Sequence, residues 1–317
     1  MDYDMNVYKQ NNKTFNNMGL EKINKEEMKY VKLHIRNAIS EDITEKTRSL
    51  ICTGIETIDN LIDGINEGEL ITICGDSVSD RDKILLSIFK NICIDNKIPS
   101  AYFSNHRSTI NDINLVLASI TCCSLVEWNK TSTNKEKTQT VRNSLSILAK
   151  SPAYYDNTPR KKLSNLCDEI RTLVQEENVK VIFIDTFQGI IDDLSTNSNN
   201  YSISYIAYHI KSLALELGIT FIVTSMPNYQ FYTREGIDGI KPQLSDLTEI
   251  GDLNSFSDVV IGLSRPDALR IYQDERGNDL RNIIEVDILL NCRGRLNSGR
   301  MSTVSNNPLK YINLNSY

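Results

Sequence analysis

The sequence lacks any apolar run that approaches the roughly 18 residues of a membrane span. Its first residues, MDYDMNVYKQNNK, also lack the apolar core of a secretory signal. These two absences predict a cytoplasmic protein with no membrane partner. The sequence contains no internal repeat.

The cysteines and histidines also lack the spacing that is typical of metal ligands. The seven cysteines form no Cys-x-x-Cys pair. The three histidines show no metal-ligand spacing either: His34, His106 and His209. Cys74, Cys93 and Cys292 lie in or beside strongly apolar segments. We therefore predict buried, reduced thiols and no metal site built from cysteine or histidine.

An excess of positive charge is also absent, since 35 Lys and Arg face 41 Asp and Glu for a net charge of −6. This balance argues against a surface dominated by nucleic-acid contacts, but it leaves room for a local basic groove. The 317 residues, 40% of them apolar, can bury a substantial core in one large domain or two smaller ones. Charge and length leave the function open.

Two segments and a linker precede the predicted main domain. Residues 1–24 are Asn-rich and poorly patterned, which predicts a mobile tail. Across residues 25–40, apolar side chains recur at helical spacing opposite charged ones, which predicts a short amphipathic helix. Residues 41–49, EDITEKTRS, are polar and predict a linker. We therefore divide the chain into residues 1–48 and a main domain over 49–317.

Short β-branched runs alternate with helical stretches in the main domain. The predicted strands cover 69–74, 100–104, 180–185, 219–225, 258–264 and 283–290, and the predicted helices cover 82–94, 109–125, 160–177 and 202–217. Several strands are apolar enough to be buried on both faces, which predicts an α/β fold with a doubly wound, mainly parallel sheet. The late strands have no long helix between them and predict an antiparallel C-terminal extension.

Ligands bind at the carboxyl ends of the strands in such a sheet. We therefore expect the chemistry in the loops that follow Cys74, Ser104, Asp185 and Ser225.

Five ordered segments resemble a known family. The first, TGIETIDNLIDGINEGELITICGDSVSDRDKILLS (53–87), resembles the entry to RecA-like ATPase cores. The segments at 154–173, 179–190, 203–228 and 241–265 follow in the order and spacing of DnaB-type replicative DNA helicases of superfamily 4. The short motifs LSDL, E-x-G and DVV are the most specific for this family. The resemblance is to the C-terminal RecA-like ATPase domain and does not reach that family's separate N-terminal domain.

The resemblance implies a site for ATP and Mg²⁺. The phosphate loop of this chain, however, departs from the family's sequence pattern. Such a loop needs glycines, a lysine and a Ser or Thr hydroxyl. Here Gly75 is retained, whereas Asp80, Arg81 and Asp82 stand in the places of the second glycine, the lysine and the hydroxyl. Over residues 75–82, three aspartates and one arginine give a formal charge of −2, which predicts repulsion of a nucleotide. Coordination of Mg²⁺ by Asp82 is the open alternative.

Other loops depart from the family pattern in the same direction. His106 stands where the resemblance places the glutamate that activates the attacking water, and Met226 stands where it places a glutamine that senses the γ-phosphate. Asp185 retains the carboxylate that supports Mg²⁺ in the family, although an Asp at a strand end can also cap the next turn. The sequence therefore predicts a nucleotide site that is degenerate in several loops.

Two further segments of the sequence resemble segments that contact a neighbouring subunit in that family. The Lys-x-Arg pair that reaches into a neighbouring subunit's site appears as Asn291 and Arg293, and a one-residue insertion leaves either Arg293 or Arg295 as the finger. The helix over 25–40 resembles the segment that docks each subunit onto its neighbour, with docking on its own domain as the open alternative. The resemblance thus implies a homo-oligomer or a helicase-like ring partner.

These patterns predict a catalytically degenerate (pseudo-ATPase) scaffold or ring subunit that acts in DNA replication or mobile-element replication. The alternative is an active ATP-dependent DNA helicase or translocase with a non-standard phosphate loop. A clock-type or repair-type RecA relative is a third reading, which the LSDL segment disfavours. The resemblance places DNA-binding pore loops within residues 189–208, which contain no Lys or Arg, so any binding of single-stranded DNA is expected to be weak.

Overall fold

The computed structural model describes residues 50–105, 109–132, 138–192, 199–234, 239–247 and 253–314. The predicted tail and helix before residue 49, as well as His106, lie outside these residues. Within the described ranges, no helix is both long enough and apolar enough to cross a membrane.

Nine strands in the described residues form one sheet. They are β1 (Leu70–Gly75), β2 (Ser100–Ser104), β3 (Ala153–Asp156), β4 (Val181–Asp185), β5 (Thr220–Ser225), β6 (Val259–Ser264), β7 (Ile283–Asn291), β8 (Ser298–Val304) and β9 (Asn307–Asn313). The helices are α1 (Glu56–Ile62), α2 (Arg81–Phe89), α3 (Thr109–Ile120), α4 (Leu125–Ser132), α5 (Thr138–Ala149), α6 (Leu163–Glu177), α7 (Asn199–Leu217) and α8 (Leu253–Phe256). The α2 helix continues into a π-helical turn over Lys90–Asp95.

The strand order across the sheet is β3-β2-β4-β5-β1-β6-β7-β8-β9. The pairs from β3 to β6 are parallel, and β6 to β9 pair antiparallel. This confirms the predicted mainly parallel sheet with an antiparallel C-terminal extension. Strand β1 lies between β5 and β6, so the loops after these three strands meet at one edge of the sheet.

Both faces of the parallel strands β1, β2, β4, β5 and β6 are covered. In β4, Val181 and Phe183 belong to the core cluster under α1, α2 and α3, whereas Ile182 and Ile184 belong to the cluster under α6 and α7. Successive side chains of β4 point alternately into these two apolar layers. The strand is therefore buried along its whole length. The layers fix the edge at which the strands end, and that edge carries the loops that follow Cys74, Asp185 and Ser225.

One prediction about the cysteines is wrong. Cys74 and Cys93 are buried, as expected, and burial raises the pKa of each thiol to about 12. Cys292 is exposed because it lies directly after β7, in the turn toward β8. All seven cysteines are free thiols. Among the described residues, no group of three or more His, Cys, Asp and Glu could hold a metal ion.

Candidate functional site

The carboxyl ends of β1, β5 and β6 form the centre of the candidate site. Gly75 at the end of β1 pairs with Leu263 of β6, and Cys74 pairs with Ser225 of β5. The loop over residues 75–82 therefore leaves the sheet between the loops after Ser225 and Ser264. We call residues 75–82 the phosphate-loop segment.

The start of the phosphate-loop segment is packed tightly against the sheet. Ser79 is buried, and its Oγ donates a hydrogen bond to the carbonyl of Asp76 at 2.6 Å. A Cβ atom added to Gly75 would lie 2.4 Å from that Oγ and 2.9 Å from the carbonyl oxygen of Leu263. Any side chain at position 75 would therefore displace main chain. Packing alone is enough to require glycine here.

Asp80 lies where the loop enters α2, and it is held by two cations. Its φ of 62° lies in the left-handed region that favours glycine. Lys83 Nζ donates to one carboxylate oxygen at 2.8 Å, and Arg265 NH1 donates to the other at 2.7 Å. Arg265 also pairs with Asp267 at 2.9 Å. Burial alone would lower the pKa of Arg265, but Asp267 and Asp80 together raise it.

Arg81, near the end of the phosphate-loop segment, is only 1% exposed. Its Nε donates to the Asp82 carboxylate at 2.7 Å. Its NH1 donates to the carbonyl of Gly75 at 2.9 Å and to the carbonyl of Ser225 at 3.3 Å. The guanidinium therefore joins the ends of β1 and β5. It is directed at carbonyl groups of its own chain, not outward at a ligand.

The third carboxylate of the segment also has partners. Asp76 Oδ1 accepts hydrogen bonds from the Ser77 main chain at 2.6 Å and from the Tyr232 hydroxyl at 3.1 Å. Burial and the Asp76 charge raise the pKa of Tyr232 to about 12, so the phenol stays a donor even in alkaline solution. Asp80 and Asp82 thus face three cations, namely Arg81, Lys83 and Arg265, whereas Asp76 faces the Tyr232 phenol. The count of −2 from the segment alone omits Lys83 and Arg265.

Asp185, the predicted Mg²⁺ support, is fully buried at the end of β4. Thr224 Oγ1 donates to one carboxylate oxygen at 2.8 Å, and the Tyr102 hydroxyl lies 3.3 Å from the other. Burial and then the Asp185 charge raise the pKa of Tyr102 well above its usual value. Both oxygens therefore have partners within the chain. This arrangement fits a structural carboxylate better than a ligand for a metal.

Met226, the predicted replacement of a sensor glutamine, follows β5 and is 42% exposed. Its backbone pairs with the Gln188 side chain, whose amide nitrogen lies 3.2 Å from the Met226 carbonyl and 2.9 Å from Ser225 Oγ. Gln188 comes from the 3₁₀ turn after β4, Phe187–Gly189. The loops after β4 and β5 are thus joined by side-chain to main-chain contacts.

Arg293 and Arg295 lie at the opposite edge of the sheet. Because β7 runs antiparallel to β6, its last residue, Asn291, pairs with Val259 at the beginning of β6. Arg293 Nε forms an ion pair with Glu69 at 2.6 Å, and its NH2 donates to the Gly64 carbonyl at 2.9 Å. Arg295 is exposed on the same turn. At this edge neither arginine is near the phosphate-loop segment of its own chain.

The structure brings together Gly75, Asp80, Arg81 and Asp82, with Met226 on the adjoining loop and Asp185 below, at the end of β4. His106 lies outside the described residues, and the two arginines of the turn after β7 are elsewhere. The sequence reasoning missed Arg265 and Lys83. Arg265 follows the carboxyl end of a predicted strand, so the rule that drew attention to the loops after Cys74, Ser104, Asp185 and Ser225 also applied to the loop after Ser264.

The donor set does not fit a magnesium nucleotide. A triphosphate needs free donors and a metal needs free oxygens. In this segment the buried guanidinium is bonded to main-chain carbonyls, and the Asp80 and Asp82 carboxylates are bonded to arginine or lysine.

A family model described as the DnaB-like helicase C terminal domain matches residues 51–306. The replicative DNA helicase DnaB of Treponema pallidum (strain Nichols) is 26% identical over 215 residues, which cover 68% of this chain and 48% of that protein. Its counterpart in Rickettsia conorii (strain ATCC VR-613 / Malish 7) is 23% identical over 271 residues, covering 80% and 54%. This chain therefore spans about half the length of the curated relatives it matches.

Solved structures give the same fold. An ATPase domain of known structure superposes with a TM-score of 0.76 at 18% identity, over 89% of this chain and 98% of that one. A structure of a DnaB-like replicative helicase and its interactions with primase also gives 0.76 at 18% identity, over 89% and 66%.

Proposed function

This chain belongs to the DnaB-like helicase C-terminal domain family, and we propose that it acts in DNA replication or mobile-element replication as a catalytically degenerate member. In this proposal it keeps the fold and serves as a scaffold or ring subunit without turning over ATP. ATP and Mg²⁺ are the cofactors that the family resemblance implies. Its partner would be a further copy of itself or a helicase-like ring.

The observation that carries the proposal is the position of Arg81. A lysine in this place of a phosphate loop must reach outward to the phosphates. Arg81 turns inward, is buried, and directs its donors at Asp82, Gly75 and Ser225. Binding a nucleotide in the usual way would require these contacts to break and a buried charge to be exposed. These contacts therefore favour the closed arrangement of the loop, in which the Arg81 guanidinium is buried against the ends of β1 and β5.

The first test is ATP hydrolysis by the full chain, with and without single-stranded DNA. We expect no turnover above the protein-free background in either condition, because the guanidinium and carboxylates occupy the loop. A family helicase with an intact loop serves as the positive control. Robust DNA-stimulated hydrolysis would reject the pseudo-ATPase and favour the alternative, an active helicase or translocase with a non-standard phosphate loop.

Binding of single-stranded DNA is expected to be weak, with a Kd above about 0.1 μM at physiological salt. Residues 189–208 contain no Lys or Arg and include Asp192 and Asp193, so few counterions would be released. Fluorescence anisotropy over a range of salt concentrations measures both affinity and slope. The matched variant, Asp192→Lys with Asp193→Lys, should bind more tightly and with a steeper salt dependence. Tight, steeply salt-dependent binding by the unmodified chain would contradict the prediction.

A further inference from the structure

Lys83 and Arg265 converge on a single carboxylate. Lys83 Nζ lies 2.8 Å from Oδ1 of Asp80, and Arg265 NH1 lies 2.7 Å from Oδ2. The two cations come from different elements, since Lys83 lies in the first turn of α2 and Arg265 directly follows β6. A lysine and an arginine directed at the two oxygens of one anion are the donors that proteins use to bind phosphate groups.

We propose that Asp80 is a tethered anion that occupies an oxyanion site formed by Lys83 and Arg265, and that removing its charge opens this site to a phosphate-containing ligand. The inference rests on the proposed function and deepens it. In this proposal the Asp80 carboxylate holds the loop closed by pairing with Lys83 and Arg265, a role that a bound phosphate would otherwise fill. Asp80 is then an autoinhibitory contact within the site.

The surroundings of Asp80 determine how tightly an Asp80 variant should bind a phosphate-containing ligand. Its side chain is 9% exposed, while those of Arg265 and Lys83 are 21% and 39% exposed. A ligand could therefore reach the two cations from solvent once the carboxylate charge is gone. Asp267 also contacts Arg265 and would remain, so a free oxyanion would compete with one residual carboxylate. Binding in the variant should be measurable but modest.

The backbone at position 80 allows two informative substitutions. With a φ of 62°, the position suits glycine and tolerates asparagine better than most other residues. Asp80→Asn keeps the shape and removes only the charge. Asp80→Gly removes the side chain and fits the same backbone. Two variants with different chemistry keep the proposal testable if one of them folds poorly.

The experiment measures binding of inorganic pyrophosphate by the full chain at low ionic strength, with isothermal titration calorimetry. Asp80→Asn and Asp80→Gly are each expected to bind at least tenfold more tightly than the unmodified protein. The matched control is Asp279→Asn, which removes a carboxylate from an exposed Asp–Arg pair with Arg281 on a different loop. This control should bind no better than the unmodified protein.

A second variant separates the proposed site from a general charge effect. Adding Arg265→Gln to Asp80→Asn should abolish most of the gain, because one of the two cations is lost. The proposal is overturned if both folded Asp80 variants bind pyrophosphate no more tightly than the unmodified chain, or if Arg265→Gln leaves the gain intact. Neither result bears on ATP hydrolysis by the unmodified chain, so this failure and that of the proposed function are distinguishable.

Discussion

Combining Asp80→Gly, Arg81→Lys and Asp82→Thr is expected to raise the affinity for ATP at least tenfold, about 1.4 kcal/mol. The unmodified chain should bind ATP more weakly than about 100 μM, because binding must displace Arg81 from its buried contacts. The triple variant removes that guanidinium and two carboxylates. It also releases Lys83 and Arg265 from Asp80, although Arg265 keeps its pair with Asp267, and it places glycine at a φ of 62°, which suits glycine.

Hydrolysis by this variant should still be undetectable. Its remaining deficits are His106 and Met226, which the resemblance places where the water-activating glutamate and the sensor glutamine belong. Adding His106→Glu should then give the first measurable turnover. Equilibrium dialysis with labelled ATP and a phosphate-release assay separate binding from chemistry. An unchanged ATP affinity in the folded triple variant would show that the loop contacts are not what opposes binding.

Arg81→Ala is expected to lower the free energy of unfolding by about 3–5 kcal/mol, the range for breaking a buried ion pair by removing one partner. Arg81 is 1% exposed, and its loss leaves the carbonyls of Gly75 and Ser225 without this donor and Asp82 without its cation. For a domain of this size the melting temperature should fall by about 6–20 °C. Urea unfolding followed by circular dichroism gives the free energy directly.

The matched control for Arg81→Ala is Lys83→Ala, two residues along the same helix. Lys83 also pairs with a carboxylate, but its side chain is 39% exposed. Asp80 would keep its ion pair with Arg265, and a pair with a half-exposed lysine contributes about 0–1 kcal/mol, so this variant should remain close to the unmodified protein. If Arg81→Ala were as stable as Lys83→Ala, the guanidinium would not be an integral part of the fold and the closed-loop proposal would lose its main support.

The central strands of the sheet could be predicted because burial on both faces leaves a direct mark in the sequence, whereas β8 and β9, which are only partly buried, were not among the predicted strands. Runs such as KVIFID and DVVIGLS contain few residues that would tolerate solvent, and the structure has β4 and β6 at these positions. Helices α4 and α5 were not predicted, since they lie on the outside and most of their described side chains are at least partly exposed. Trp128 and Ser144 are buried in those helices. Both helices are rich in Thr, Ser and Asn, which are more typical of loops, and this composition hides the helical pattern.

The candidate site was predictable in its composition but not in its electrostatics. Sequence order places Asp80, Arg81 and Asp82 on one loop, and a charge of −2 follows from counting that loop alone. The charge that an anion would encounter also depends on Arg265, which is 185 positions from Asp80 in sequence but adjacent to it through the β1–β6 pairing. Nor does the sequence reveal whether Arg81 points outward or inward. That depends on the carbonyls of Gly75 and Ser225 at the sheet edge.

The ion pair between Arg293 and Glu69 sets a thermodynamic condition on the proposed ring assembly. If Arg293 is to reach a neighbouring subunit, it must first leave an intramolecular partner, so association exchanges one ion pair for another and gains little from that residue. Arg295, exposed on the same turn, has no ion pair of this kind within the described part of the chain. In the proposed ring, interface strength should therefore depend more on Arg295, while Arg293 ties the turn after β7 to the beginning of β1.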